Sequence, residues 1–470
     1  MFVLQEVITE QNIKIIFKFI SVIAFILSVY AIYQFFWGYK RAYIELLPFK
    51  DDFLVSKTLV YLKNRRVSAT FSLPTAFAAF QMMTIPFLIY HIRINSNFMY
   101  KLSYYIVLFL VIFSSILSQS YFIGIAFFIM ILMLLFLKRA SLNKKLTFIV
   151  FAILMIITIL FSFYVRKDTP LNILKANTVK MRLGNWHIAV DIIRNNLLWG
   201  VGIGNFHLYY PKFMTTADIE TKYAHNFLLQ LSAELGILGI LLSLLLIFLL
   251  IKSFIKIRRS DENPLFIWAI CSSTFIFVAY SLIDISFYFP SIAIYGLLII
   301  AIYIFEYKRL INSLKLTTIP LSNLVKIVIG SLIVIIFIYT AQFHFAESLN
   351  EKSYNQLING ENKDSLVLIN KYVKLFKTDV AAANIMIDAI KDEKSIINKT
   401  QKEENILQYF PFSPKTHYMI GILNLNDYRY YNAFINFYIA HYLYPTKNMY
   451  KDAYLKSLEV INLISNQKND

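Results

Sequence analysis

The stretch KYAHNFLLQLSAELGILGILLSLLLIFLL, residues 222–250, decides the fold. From 226 to 251 it reads as one apolar run, long enough to cross a hydrocarbon core of about 30 Å as a single helix. Eight more runs of this kind occur, at roughly 15–37, 72–92, 102–118, 121–137, 146–165, 264–283, 289–305 and 323–343. Only Ser118-Gln119-Ser120 separates the run 121–137 from its predecessor. Composition agrees: 58% of the 470 residues are hydrophobic, 16% are charged and the mean hydropathy is +0.58. That is too little charge for a soluble chain of this length. The expected fold class is therefore all-α: a polytopic membrane protein of about nine spans over 1–343, followed by a soluble helical domain over 344–470. No cleavage site of small residues precedes Trp37, so the first run is expected to remain as an anchor. The lone Cys271 excludes an internal disulfide and a multi-thiolate metal site.

Lys and Arg in the short loops set an orientation. Arg93 and Lys101, Lys138 to Lys145, Lys252 to Arg259, and Lys308 to Lys315 fall in alternate connections, and the loops 118–120 and 284–288 carry no basic residue. The basic set is expected in the cytoplasm, which puts the loops 38–71 and 166–224 and the whole tail outside. The outer loops are themselves basic, each with a net charge of +4, whereas the tail is nearly balanced. Contact with anionic headgroups would account for this charge. So would a phosphate clamp, for which the planar arginine fork is suited. Charge alone does not separate the two.

The larger outer loop, 166–224, carries RLGNWHIAVDIIRNNLL (182–198), with Leu183, Trp186, Val190, Ile193 and Leu197 at helical spacing and Arg182 on the face of Trp186. Gly200, Gly202 and Gly204 follow, permitting positive φ and close backbone approach, either in a tight re-entry turn or around a ligand. No Rossmann or P-loop pattern surrounds them. Next come His225 and Asn226 at the mouth of the run, and Glu234 about three turns inside it. An ionisable group at that depth is costly unless it faces protein or water. A histidine at a helix start suits proton transfer. Taken alone, His225 reads as a satisfied interfacial residue. Taken with Asn226, Glu234, Gly202 and Gly204 beside a basic loop, it reads as a site.

These residues also resemble a family. Arg182 through Trp186, WGVGIGNF (199–206), AHNFLLQLSAELGILG (224–239) and YSLIDISFYFP (280–290) look like the O-antigen ligase/polymerase superfamily of bacterial membrane enzymes. SVYAIYQFF (28–36) and RRVSATFSLPTAFAAF (65–80) extend the resemblance upstream. It implies transfer of a glycan from an undecaprenyl-pyrophosphate carrier to an acceptor at the outer face of the bacterial inner membrane. Arg65 or Arg66 and Arg182 would hold the pyrophosphate, and His225 would act in transfer. The donor is already activated, so no metal, nucleotide or other cofactor is implied, and no nucleic-acid partner. The chain departs from the family pattern at Tyr121, where an arginine is frequent, at Leu73 and Thr75 around Pro74, and at Trp199, where a proline is frequent. Family members usually have further helices before the point where this chain starts. Two other readings remain: a lipid-linked glycan exporter, or an inactive core whose tail recruits envelope enzymes. An exporter would place paired ionisable groups near the midplane, in related halves; here the polar residues gather at the outer end.

In the tail, THYMIGILNLNDYRYYNAFINFYIAHYLYP (416–445) places Gly421, Ala433, Ala440 and Pro445 as a tetratricopeptide repeat does. A generic helical hairpin is the competing reading. Either form would bind a protein or glycan partner and would be tied to the membrane part by one connection after Phe343.

Overall fold

The computed structural model describes residues 10–49, 58–59, 62–137, 144–167, 172–214, 221–259, 263–312, 342, 345–375 and 380–467, and among these every regular element is a helix. The chain divides into two compact units that do not follow chain order. The first comprises Met1–Trp186, Ala224–Leu228 and Leu241–Pro320; the second comprises His187–Tyr223, Leu229–Ile240 and Leu321–Asp470.

In the first unit, α1 (Glu10–Tyr33) passes through a π turn, Gln34–Gly38, into the short helix Tyr39–Leu46. It is followed by α2 (Pro74–Ile94), α3 (Phe98–Leu117), α4 (Phe122–Phe136) and α5 (Lys144–Lys167). The helix α6 (Asn172–Asn195) leads out of the unit. Among the described residues six helical stretches are long and apolar enough to cross a membrane: Asn12–Leu46, Pro74–Ile94, Phe98–Leu117, Ile237–Ile257, Pro264–Ile283 and Pro290–Leu310. The expected fourth span appears as a shorter apolar helix, Phe122–Phe136, and the expected fifth lies within the 24-residue α5. The expected ninth span, 323–343, lies outside the described residues. The chain is a multi-pass membrane protein.

One expectation is corrected. The run 226–251 is not one helix but two, α7 (Phe227–Leu235) and α8 (Ile237–Ile257). The break is at Gly236, whose φ of +60° is a left-handed conformation that a β-carbon disfavours. Leucine and isoleucine continue on both sides of it, so apolar periodicity runs through the break unmarked.

Three of the spans start on recognisable sequence signals. Pro74 and Pro264 occupy first-turn positions, where the missing N–H costs nothing, and Asn97 Oδ1 caps α3 by accepting from the Met99 amide at 2.8 Å. The helices α2 and α9 (Pro264–Ile283) are apolar nearly all round and form the buried centre. Two of their polar side chains bond to neighbouring helices: Ser273 Oγ donates to the Met83 carbonyl at 2.7 Å, and Gln81 Nε2 donates to Ser28 Oγ at 2.9 Å. Gly296 of α10 (Pro290–Asn312) admits the Phe277 ring so closely that a β-carbon would lie 2.1 Å from it. By contrast α8 exposes Leu241, Leu244 and Phe248, as a helix facing lipid does.

The second unit holds a helix over 345–358 and six more: α11 (Asn362–Leu375), α12 (Val380–Ile390), α13 (Ile396–Tyr409), α14 (Pro414–Asn426), α15 (Tyr430–Leu443) and α16 (Asn448–Gln467). Ser395 and Ser413 cap α13 and α14, accepting from the amides three residues on. The pair α14–α15 is a close hairpin. Ala433 and Ala440 are fully buried, and Gly421 lies under the Phe437 ring, where a β-carbon would meet it at 2.6 Å. The same unit contains the loop segment 198–214, whose Tyr209 ring packs on Phe412 at 5.4 Å and whose Lys212 Nζ lies 4.8 Å from the Tyr442 ring centroid.

Candidate functional site

The α9 helix ends at Ile283, and the next residue, Asp284, is 97% buried with its amide bonded to the Tyr280 carbonyl at 2.9 Å. A carboxylate so enclosed needs partners. It has three. The Ile285 amide donates to Oδ1 at 2.7 Å, Arg182 Nη2 donates to Oδ2 at 3.2 Å, and His225 Nδ1 stands 3.7 Å from Oδ1. Burial pushes the Asp284 carboxyl up, but His225, Arg182 and the Ile285 amide outweigh it and hold the group below the ordinary aspartate range. Arg182 and Asp284 are 102 residues apart in sequence, and His225 comes from a third segment. All three belong to the first unit.

Arg182 is held from a second side: its guanidinium carbon lies 5.1 Å from the centroid of the Phe122 ring. These contacts occupy one of its five N–H donors, and its side chain keeps 20% exposure. The Phe122 ring also packs on Tyr280 at 4.6 Å. The Tyr280 hydroxyl and Ser120 Oγ are buried beside one another.

His225 has φ +55°, a strained value for a side chain of its size. The strain sits where the chain turns into α7. Next to it, Asn226 Oδ1 accepts from the Leu228 amide at 3.0 Å and so starts that helix, while Phe227 packs on Phe287 at 4.3 Å. With Nδ1 turned toward Asp284, the other ring nitrogen of His225 is directed away from the carboxylate. Its side chain is 25% exposed.

The first basic loop is fastened to the same end of the unit. Gln34 bonds the Ala69 amide and carbonyl, both at 2.9 Å, and Tyr39 donates to the Arg66 carbonyl at 3.2 Å. Arg66 Nε donates to the Ser118 carbonyl at 3.4 Å, which brings this arginine to the end of α3. Arg65 is exposed, with φ +48°.

The remaining expected residues fall in the second unit. Gly200, Gly202 and Gly204 all have positive φ. Two of them serve the chain's own approach. The Val201 and Gly202 amides donate to the Ala233 and Glu234 carbonyls, each at 3.0 Å. Glu234 Oε1 accepts from Gln230 Nε2 at 2.7 Å. His207 Nδ1 lies 3.0 Å from the Gly204 carbonyl, and burial lowers its pKa.

The residue missed by sequence reasoning is Asp284. It is the one charged residue between Pro264 and Pro290, and that isolation at a span's end was the available signal.

A multi-pass helical membrane protein with an arginine–carboxylate–histidine cluster at one end of its spans is the class these features define. Residues 104–244 match the family model described as O-antigen ligase. The match covers a little under a third of the chain and contains Arg182 and His225, with Asp284 beyond it. It supports a membrane glycan ligase or polymerase role. No curated protein matches the chain, and no solved structure does. Among the described residues no group of His, Cys, Asp and Glu is placed to hold a metal ion.

Proposed function

We propose that this protein transfers a glycan from an undecaprenyl-pyrophosphate carrier to an acceptor hydroxyl, at the membrane face where Asp284 lies. The observation that carries the reading is the Arg182–Asp284–His225 cluster, two members of which lie in the segment that matches the ligase family. Asp284 turns Nδ1 of His225 inward and leaves the other nitrogen to accept the proton of the acceptor hydroxyl. The acceptor oxygen then bonds to the sugar's anomeric carbon as the bond from that carbon to the pyrophosphate oxygen breaks. Carrier pyrophosphate departs with the electron pair. Arg182, with most of its N–H fork unused, balances the growing charge on the leaving group, and Arg66 or Arg65 assists from the first loop. Asn226, next to His225 at the start of α7, helps to shape the surroundings of the acceptor. A metal or nucleotide has no role in this scheme, because the pyrophosphate is already a good leaving group.

The orientation proposed is the one set by the basic loops: Asp284 and residues 344–470 outside the inner membrane, the tail a tetratricopeptide-like module that binds a protein or glycan partner. The test is a purified-protein assay with lipid-linked glycan and acceptor, run beside the envelope glycans of a deletion strain. Loss of attached or polymerised glycan with carrier-linked donor retained outside supports transfer. Donor trapped inside would identify an exporter instead.

A further inference from the structure

We propose that the first unit binds one anionic phospholipid at the end of its helices opposite Asp284, its phosphate among Lys14, Lys18 and His91 and an acyl chain between α1 and α3. This site is independent of the transferase reading. A groove of about 690 Å³ runs between these two helices. They are parallel: Ser114 Oγ donates to Ser28 Oγ at 3.1 Å, and the groove is lined by residues at matching distances nearer both N-termini. Its polar lining (Lys18, Asn95, Ser103) therefore lies toward one end, and its apolar lining (Val22, Phe25, Val107) runs toward the middle of the spans. That is the shape of an amphiphile.

A second cavity of about 60 Å³ lies alongside, lined by Lys14, His91 and Arg309 among others. It is too small for a chain and of a size for a few polar atoms, a single water needing about 10–15 Å³ of such space. His91 joins the two spaces. Its ring stacks on Tyr104, a groove residue, at 5.1 Å and 9°, and it lines the small cavity. The residue is 98% buried, yet Nε2 has no hydrogen-bond partner. A buried ring nitrogen of this kind calls for a polar ligand. A phosphate oxygen fits: it accepts from Nε2–H and from the ammonium groups of Lys14 and Lys18, one helical turn apart. The acidic residue at the cavity, Glu306, is already paired with Arg309 at 3.1 Å. The site is thus positive, at the basic end of the spans, where Arg93 and Lys101 also lie. A zwitterionic headgroup would bring its own cation against these lysines, so the occupant is an anionic lipid.

The experiment uses the full chain, delipidated in neutral detergent and titrated with phosphatidylglycerol or phosphatidylcholine, with retained lipid counted by mass spectrometry. Phosphatidylglycerol should saturate at one tight equivalent per chain and phosphatidylcholine should not. Lys14→Gln with Lys18→Gln should weaken that equivalent roughly thirtyfold, from about 1 kcal/mol for each lysine near a lipid surface. Val107→Trp, which fills the groove, should weaken it with both lysines intact. Equal retention of the two lipids, binding without saturation, or an unaffected double variant would overturn the proposal. So would displacement by millimolar inorganic phosphate, which would mark a free-anion site. If the variants fail to fold, the comparison of lipids and the phosphate competition on the unaltered chain still decide.

Discussion

Gly200 and Gly236 meet backbone to backbone: a β-carbon on Gly200 would stand 2.5 Å from the Gly236 nitrogen, and one on Gly236 would stand 2.6 Å from the Gly200 nitrogen. Both have positive φ, so either alanine brings strain as well as collision. Gly200→Ala and Gly236→Ala should each lower stability by at least about 1–3 kcal/mol. Gly204→Ala, with positive φ but open space around it, should cost less. Thermal unfolding of the purified variants checks the order, and an equal loss at all three positions would contradict it.

Asp284 gives a pH signature. Its carboxyl is held below the ordinary range, so its contribution to stability is full above the unfolded value, near 3.9, and is lost as pH falls through the lower folded one. The gap in melting temperature between the native chain and Asp284→Asn should be flat across neutral pH and should close only in acid. Transfer by Asp284→Asn should fall at every pH, by less than the roughly 10²–10⁴-fold expected for His225→Ala. A His225→Ala protein with full activity at normal abundance would remove the proposed base. His207→Ala should keep its activity.

The spans were legible because lipid demands long apolar runs, and prolines and asparagines mark their starts. What the sequence hid was pairwise. Gly236 breaks the run 226–251 because Gly200 needs the space, and nothing near Gly236 in sequence announces that. His225 and Arg182 could be singled out by chemistry and position, but the carboxylate linking them is 59 residues beyond His225, visible only as a lone charge. By sequence the glycines fit either a turn or a ligand cradle. The amides of Val201 and Gly202 favour the turn, since they bond the chain's own carbonyls.

Arg182→Lys separates charge from geometry. Lysine keeps the cation but loses the planar fork that pairs with Asp284 and lies over Phe122. Transfer should drop clearly while the protein still inserts at normal levels. An undiminished Arg182→Lys enzyme would show that the residue serves only as a diffuse charge near headgroups.

In the tail, Arg429 clasps Glu403 with Nη2 to Oε1 at 2.6 Å and Nη1 to Oε2 at 3.1 Å, and also bonds Asp427 at 3.0 Å. Glu403 is 4% exposed. Arg429→Ala would strand that carboxylate and should cost about 3–5 kcal/mol. The double change Arg429→Met with Glu403→Met removes both charges and should recover much of the loss. Unfolding of the full chain, followed at the tail by hydrogen exchange, distinguishes the two.

A repeat-type domain tied to the spans by one connection would leave the rest unchanged when removed. Here residues 187–223 share a compact unit with 345–467, and the loop's Tyr209 and Lys212 use Phe412 and Tyr442 as partners. A chain ending near Glu347 should still insert, because the six candidate spans precede the cut. Its loop 198–214 should become sensitive to protease, and Phe412→Ala with Tyr442→Ala in the full chain should produce a milder form of the same effect. A phosphatase fused at Asp470, active only outside, should work if the basic loops are cytoplasmic, and a cytoplasmic fluorescent protein there should stay dark. An unchanged digestion pattern in the truncated chain would show that the loop holds its shape without the tail. The opposite reporter pattern would put the tail on the basic side of the membrane and detach it from transfer.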